Sequence, residues 1–162
     1  MASPAETTAP REIRAMFAPA ETVYLGDGPG TGATGYGQII LQSATTYYPG
    51  HVYAVNGSNQ AAPITGSQAA LRVGVFEGVN FDAQSSVLGD GSTTFTTLAV
   101  YKAVLLKNAT SVSTIAAIGI KAYLENGEYV GNTAGTSPVA GQVLMFTGGA
   151  GGDVLIDMTD RA

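Results

Sequence analysis

The sequence predicts an all-β domain with at most one short helix. Three observations lead there. Short apolar or alternating segments rich in Val, Ile, Tyr, Phe and Thr recur from Thr22 onward, and these side chains fit a pleated surface. The breaks between them carry turn chemistry: Asp27-Gly28, Pro49-Gly50, Asn56-Gly57, Asp90-Gly91 and Asn126-Gly127. Glycine makes up 22 of 162 residues and charged residues only 12 %, against usual shares of about 7 % and 25 %. Such a chain suits a turn-rich β domain whose surface is partly covered by something else.

The elements follow in order. Residues 1–20 hold three of the prolines, small residues and no sustained period, and read as an extended N-terminal arm. Within it, Glu12 to Phe17 suffices for a turn or two of helix, too short to stand alone. Residues 21–162 read as a single β-rich domain. Its candidate strands are Thr22–Leu25, Gly37–Gln42, Gly50–Val55, Leu71–Phe76, Thr94–Leu106, Ile118–Leu124, Gln142–Phe146 and Asp153–Asp157. The clearest hairpin runs from Leu124 to Val130, apolar arms around a two-residue Asn126-Gly127 loop. One helical contender, Ser111–Ile120, is rich in Ser and Thr and is interrupted by Gly119.

Charge narrows the function classes. Seven Lys and Arg stand against twelve Asp and Glu, a net charge of −5. This opposes binding to nucleic acid or to anionic membranes, both of which need basic surface. No apolar run approaches the roughly 18–20 residues of a membrane helix, and no classical signal peptide is visible. Cysteine is absent and His51 is the only histidine, so disulfides, thiolate chemistry and multi-histidine metal sites are excluded within one chain. The charges are also unevenly spread. None occurs in the 44 residues from Gly28 through Leu71, nor in the 24 from Tyr129 through Gly152. Long uncharged β-prone stretches are either loops solvated by Ser, Thr, Asn and Gln or association surfaces. Tyr47 and Tyr48 lie inside the longer run and read either as ordinary sandwich tyrosines or as the anchors of a subunit interface.

Motifs for chemistry are weak. Gly30 to Gly35 matches G-x-G-x-x-G, but a strand-like Tyr36–Leu41 follows where a dinucleotide site needs a helix. Gly148 to Leu155 matches one copy of a calcium β-roll repeat, which works only as stacked copies; a hairpin loop explains it better. His51 has no serine elbow and no carboxylate placed by local sequence, and is expected to be structural or exposed. Glu125 and Glu128 bracket the Asn-Gly turn and are expected to face water. No catalytic, cofactor-binding or metal-ligating residue is assigned, so no cofactor is expected and the chain reads as no enzyme.

The second half carries a resemblance. Gly119-Ile120-Lys121-Ala122-Tyr123, Gly141-Gln142-Val143-Leu144 and Val154-Leu155-Ile156-Asp157-Met158, with Pro49–Val55 and Arg72–Gly78 upstream, resemble in order the strands of tailed-bacteriophage head decoration (capsid cement) proteins. The Gly26–Gly37 and Gly78–Leu98 regions depart from that pattern as insertions. The resemblance implies a compact β-barrel or β-tulip-like domain with an extended N-terminal arm, usually a homotrimer. It implies a structural virion protein on the outer surface of the expanded phage head, binding the major capsid protein and stabilising the shell. In that setting Ile13, Met16 and Phe17 are the expected capsid contacts of the arm. The alternatives are a tail-tube or fibre component, or a carbohydrate-binding β domain. A small β hydrolase or isomerase is disfavoured for want of a nucleophile, metal set or phosphate loop.

Overall fold

Alternating side chains and frequent turns produce thirteen strands and no helix among the described residues. The computed structural model describes residues 5–11, 22–25, 39–78, 84–91, 98–110 and 113–160. The strands are β1 (Thr22–Leu25), β2 (Ile40–Leu41), β3 (Thr46–Tyr47), β4 (Val52–Val55), β5 (Gln60–Ala62), β6 (Val73–Phe76), β7 (Val87–Leu88), β8 (Leu98–Tyr101), β9 (Val104–Asn108), β10 (Lys121–Leu124), β11 (Tyr129–Gly131), β12 (Val139–Phe146) and β13 (Asp153–Asp157). They form two main bodies. A six-stranded sheet has the order β1-β8-β6-β4-β5-β2, and a closed five-stranded barrel runs β10-β11-β9-β13-β12, while β3 and β7 pair separately.

The barrel follows the period-2 rule. In β9, Val104, Leu106 and Asn108 are buried while Leu105 and Lys107 are half-buried, and in β10 Ala122 and Leu124 point in. The sheet is different, because Val52 to Ala54 and Val73 to Phe76 are buried at every position. Both its faces are covered. Val52, Ala54, Val73 and Val75 join the barrel residues Val104, Leu106, Leu124, Val130, Val143, Val154 and Ile156 in the main core. On the other side Tyr53 and Phe76 join Leu41, Tyr47, Ala61 and Leu98 in a second core. A strand covered on both faces reads as a continuous apolar run, as these do.

The all-β expectation and the barrel hold. The single strand expected over Thr94–Leu106 is two, since the chain bends at Lys102 and Ala103 to pass from sheet to barrel. That bend is pinned by the Met158 amide donating to the Tyr101 carbonyl at 3.0 Å. Residues 113–120 are not helical. The Asn108 amide clamps Ile115 from both sides, donating to its carbonyl at 2.9 Å and accepting from its N–H at 2.7 Å, which removes the backbone groups a helix would use. The expected two-residue Asn-Gly loop is a three-residue one. Leu124 pairs with Val130, Glu125 N–H donates to the Tyr129 carbonyl, and the Asn126 side chain accepts from the amides of Glu128 and Tyr129. The glycine loop between β12 and β13 is a hairpin with Gly148, Gly149 and Gly151 at positive φ. The G-x-G-x-x-G stretch lies outside the described residues.

Candidate functional site: a polar receptor for the N-terminal segment

Two loops meet where the sheet joins the barrel. One is the Tyr48–His51 turn leading into β4. Its form is fixed by Tyr48 N–H donating to the Tyr53 hydroxyl at 2.8 Å, by His51 N–H donating to the Tyr48 carbonyl at 3.1 Å, and by the Tyr48 ring tilted against the His51 ring, 5.3 Å away between centres. The other is the Asn126-Gly127-Glu128 tip of the barrel hairpin. The Val52 amide donates to the Gly127 carbonyl at 2.9 Å and stitches the two together.

Residues 5–11 lie across this junction. Glu6 accepts from the Gly127 amide at 2.8 Å through Oε1, and its Oε2 lies 2.5 Å from His51 Nδ1. His51 Nε2 faces the Ala9 carbonyl at 2.8 Å. A carbonyl only accepts, so the Nε2 that faces Ala9 is the protonated nitrogen. Thr7 donates both its amide, at 2.5 Å, and its hydroxyl, at 2.8 Å, to Glu128 Oε1. Arg11 donates its amide to the Pro49 carbonyl at 3.0 Å and sets Nε 3.8 Å from Glu128 Oε2. Its Nη2 reaches the Leu105 carbonyl at 3.4 Å, while Nη1 finds no acceptor among the described residues.

Two glycines make room for the segment. A Cβ on Gly50, which sits at φ +90°, would stand 2.0 Å from the Arg11 carbonyl oxygen. A Cβ on Gly127 would stand 2.5 Å from Glu6 Oε2. Gly127 is thus a glycine for close approach, not for a left-handed turn.

The electrostatics match. Burial pushes the Glu128 carboxyl up, yet the two Thr7 hydrogen bonds, with His51 and Arg11 nearby, outweigh it and hold the group below the ordinary range. Burial lowers the Arg11 guanidinium, opposed by Glu128 and Asp153. His51 is 0 % exposed and Glu128 only 2 %. The carboxylates and the imidazole are engaged in gripping backbone and side chains of residues 6–11. The arrangement is a lock for an extended peptide.

The residues singled out from sequence fare unevenly. Tyr47 is a core residue and not an interface anchor. It is fully buried within its own chain, 4.9 Å from Tyr53 and 5.8 Å from Phe76 between ring centres, with its hydroxyl donating to the Ala61 carbonyl and accepting from the Gln42 amide. Tyr48 is half-buried against His51. Ile13, Met16 and Phe17 lie outside the described residues. His51 is structural. Glu128 corrects the water-facing expectation, and Glu125 is half-buried with Ser113 donating to it. Sequence reasoning missed Glu6, Thr7, Arg11, Gly50, Gly127 and Glu128 as one site, since Thr7 and Glu128 are 121 positions apart. The only available signal was scarcity: in so uncharged a chain, each ion needs a reason.

A second feature lies on the surface. The amide of Gly119 donates to the Val143 carbonyl and that of Val143 to Ile120, which sets the 116–120 loop beside β12. Ile118 is 68 % exposed, Met145 47 % and Leu144 36 %. No Asp, Glu, Lys or Arg occurs in the sequence from Asn108 to Ile120 or from Tyr129 to Gly152, while Lys121 and Asp157 stand opposite Gln142 on the flanking strands. Among the described residues no three His, Asp or Glu side chains come together in a way that could hold a metal ion. No protein-family model, curated protein or solved structure matches the chain.

Proposed function

We propose that the chain is a non-catalytic structural protein of a tailed-phage virion, which binds the major capsid protein on the outside of the expanded head and stabilises it. The observation that supports this reading is the exposure of Ile118, Leu144 and Met145 on stretches of chain without charge. Depletion of charge around exposed apolar side chains is the mark of an association surface. A shell protein needs little more, because many weak identical contacts on one lattice add up by avidity. The polar lock beneath residues 5–11 also fits a protein that works by contact, since its ionisable groups are occupied in holding the chain.

The test is co-sedimentation with empty expanded heads assembled from the cognate major capsid protein. Wild-type chain is expected to pellet with expanded heads. Ile118→Asp and Met145→Asp are expected to stay in the supernatant with unchanged circular dichroism. Wild-type chain that ignores heads, or that instead grows into rings or filaments alone, would overturn the reading.

A further inference from the structure

The receptor under residues 5–11 is built as an imprint of that segment, and nothing in its chemistry requires that the segment come from the same copy. We infer that Gly50, His51, Gly127 and Glu128 accept residues 5–11 of a second copy in place of the chain's own, so that neighbouring copies are linked by exchanged arms.

Three observations carry this. First, the contacts are polar and specific: a carboxylate at Glu6, amide and hydroxyl at Thr7, a carbonyl at Ala9 and a guanidinium at Arg11 each have a dedicated partner. Ala5 and Thr7 to Pro10 remain exposed. Withdrawing the segment therefore uncovers little apolar surface on the segment itself, and a detached arm remains compatible with water. Second, the empty receptor is costly. His51 and Glu128 direct their polar atoms at Glu6, Ala9, Thr7 and Arg11, and withdrawal gives up all of these contacts at once, which favours refilling by any segment of the right pattern. Third, ten residues separate Arg11 from Thr22, where β1 begins. A ten-residue chain can span at most about 35 Å. Once copies are held side by side, a neighbour's arm competes at an effective concentration like that of the chain's own. The inference stands apart from the capsid reading, for it concerns only how copies hold each other.

The experiment uses two full-length variants. Glu6→Ala/Arg11→Ala keeps the receptor and disables the arm, while Glu128→Ala keeps the arm and disables the receptor. Each alone is expected to show no arm-linked assembly. Mixed, they are expected to form a complex of one copy each, seen by light scattering as a doubling of mass and lost when Thr7→Ala is added to the arm donor. A mixture of folded variants that behaves as the sum of its parts overturns the proposal. In addition, a labelled peptide spanning Ala5 to Arg11 can be titrated into the Glu6→Ala/Arg11→Ala variant, whose own arm no longer fills the receptor. Saturable binding is expected, at least about tenfold weaker for the Glu6→Gln peptide. Absence of binding at millimolar peptide overturns the proposal as well.

Discussion

The second core and the arm receptor lie on either side of the same turn, and they are held by opposite physics. Tyr47, Tyr53, Phe76, Leu41 and Leu98 pack ring against ring and aliphatic against ring, with two tyrosine hydroxyls tying down nearby backbone. Their contribution comes from area removed from water, roughly 25 cal/mol per Å² of apolar surface. Glu6, Thr7, Arg11, His51 and Glu128 are held by hydrogen bonds and charge, each contributing little net yet costing much if one partner is removed. The aliphatic part of the core accepts apolar side chains of similar volume at modest cost. The receptor tolerates only its own pattern. The comparison separates what makes the domain fold from what makes one segment recognisable.

The strongest test of that contrast is Phe76→Ala. It should lower global stability by about 3–5 kcal/mol, read as a shift in the midpoint of urea unfolding for all probes together. Glu128→Ala should cost less, about 1–3 kcal/mol, and in a different manner. Hydrogen exchange at the Thr7 amide should speed up strongly while exchange in β6 and β13 barely changes. Equal loss of protection in both places would mean that the arm is integral to the core and that the contrast is false.

Acid should separate the regions without mutation. Glu128 is held below the ordinary carboxyl range when the arm is docked, so its contribution is fully present above about pH 4.3 and is lost as pH falls through the lowered value. Thr7 protection is expected to fall on acidification before the β6 amides respond. The second core responds on the other side. Burial raises the phenol pKa of Tyr47 and Tyr53, so that core is fully stable below about pH 10 and weakens as pH climbs beyond it. Near-ultraviolet circular dichroism followed across both limits would check the order of events. The smallest expected effect is that of Tyr47→Phe. It keeps the ring and removes one hydroxyl that serves the Ala61 carbonyl and the Gln42 amide, for about 0.5–1.5 kcal/mol by thermal melting.

The fold was largely legible and the receptor was not. β1 and β13 lie where Thr22–Leu25 and Asp153–Asp157 suggested, because both are short β-branched or apolar runs between turn residues. β5 escaped notice, since Gln60-Ala61-Ala62 has no strand propensity and is held by the Asn56 side chain folding the preceding turn. The receptor escaped because its members are polar residues at positions 6 to 11, 50 to 51 and 127 to 128, with no spacing that local rules can read. Even Gly127, chosen as a turn signal, turns out to lie against the Glu6 carboxylate.

The all-β class, the turn positions, the absence of thiol and multi-histidine chemistry, and the uncharged stretches that end up bearing Ile118 and Met145 all follow from the residue order. These depend on period, composition and local backbone preference, which act over a few residues. The division of the strands into a doubly covered sheet and a closed barrel came from contacts across the chain. Those contacts alone made Tyr47 a core residue, and they turned Glu128 from a loop acid into the buried grip on Thr7 and Arg11. Burial and partnership are properties of contacts between distant segments, and they exist only once the chain has closed on itself.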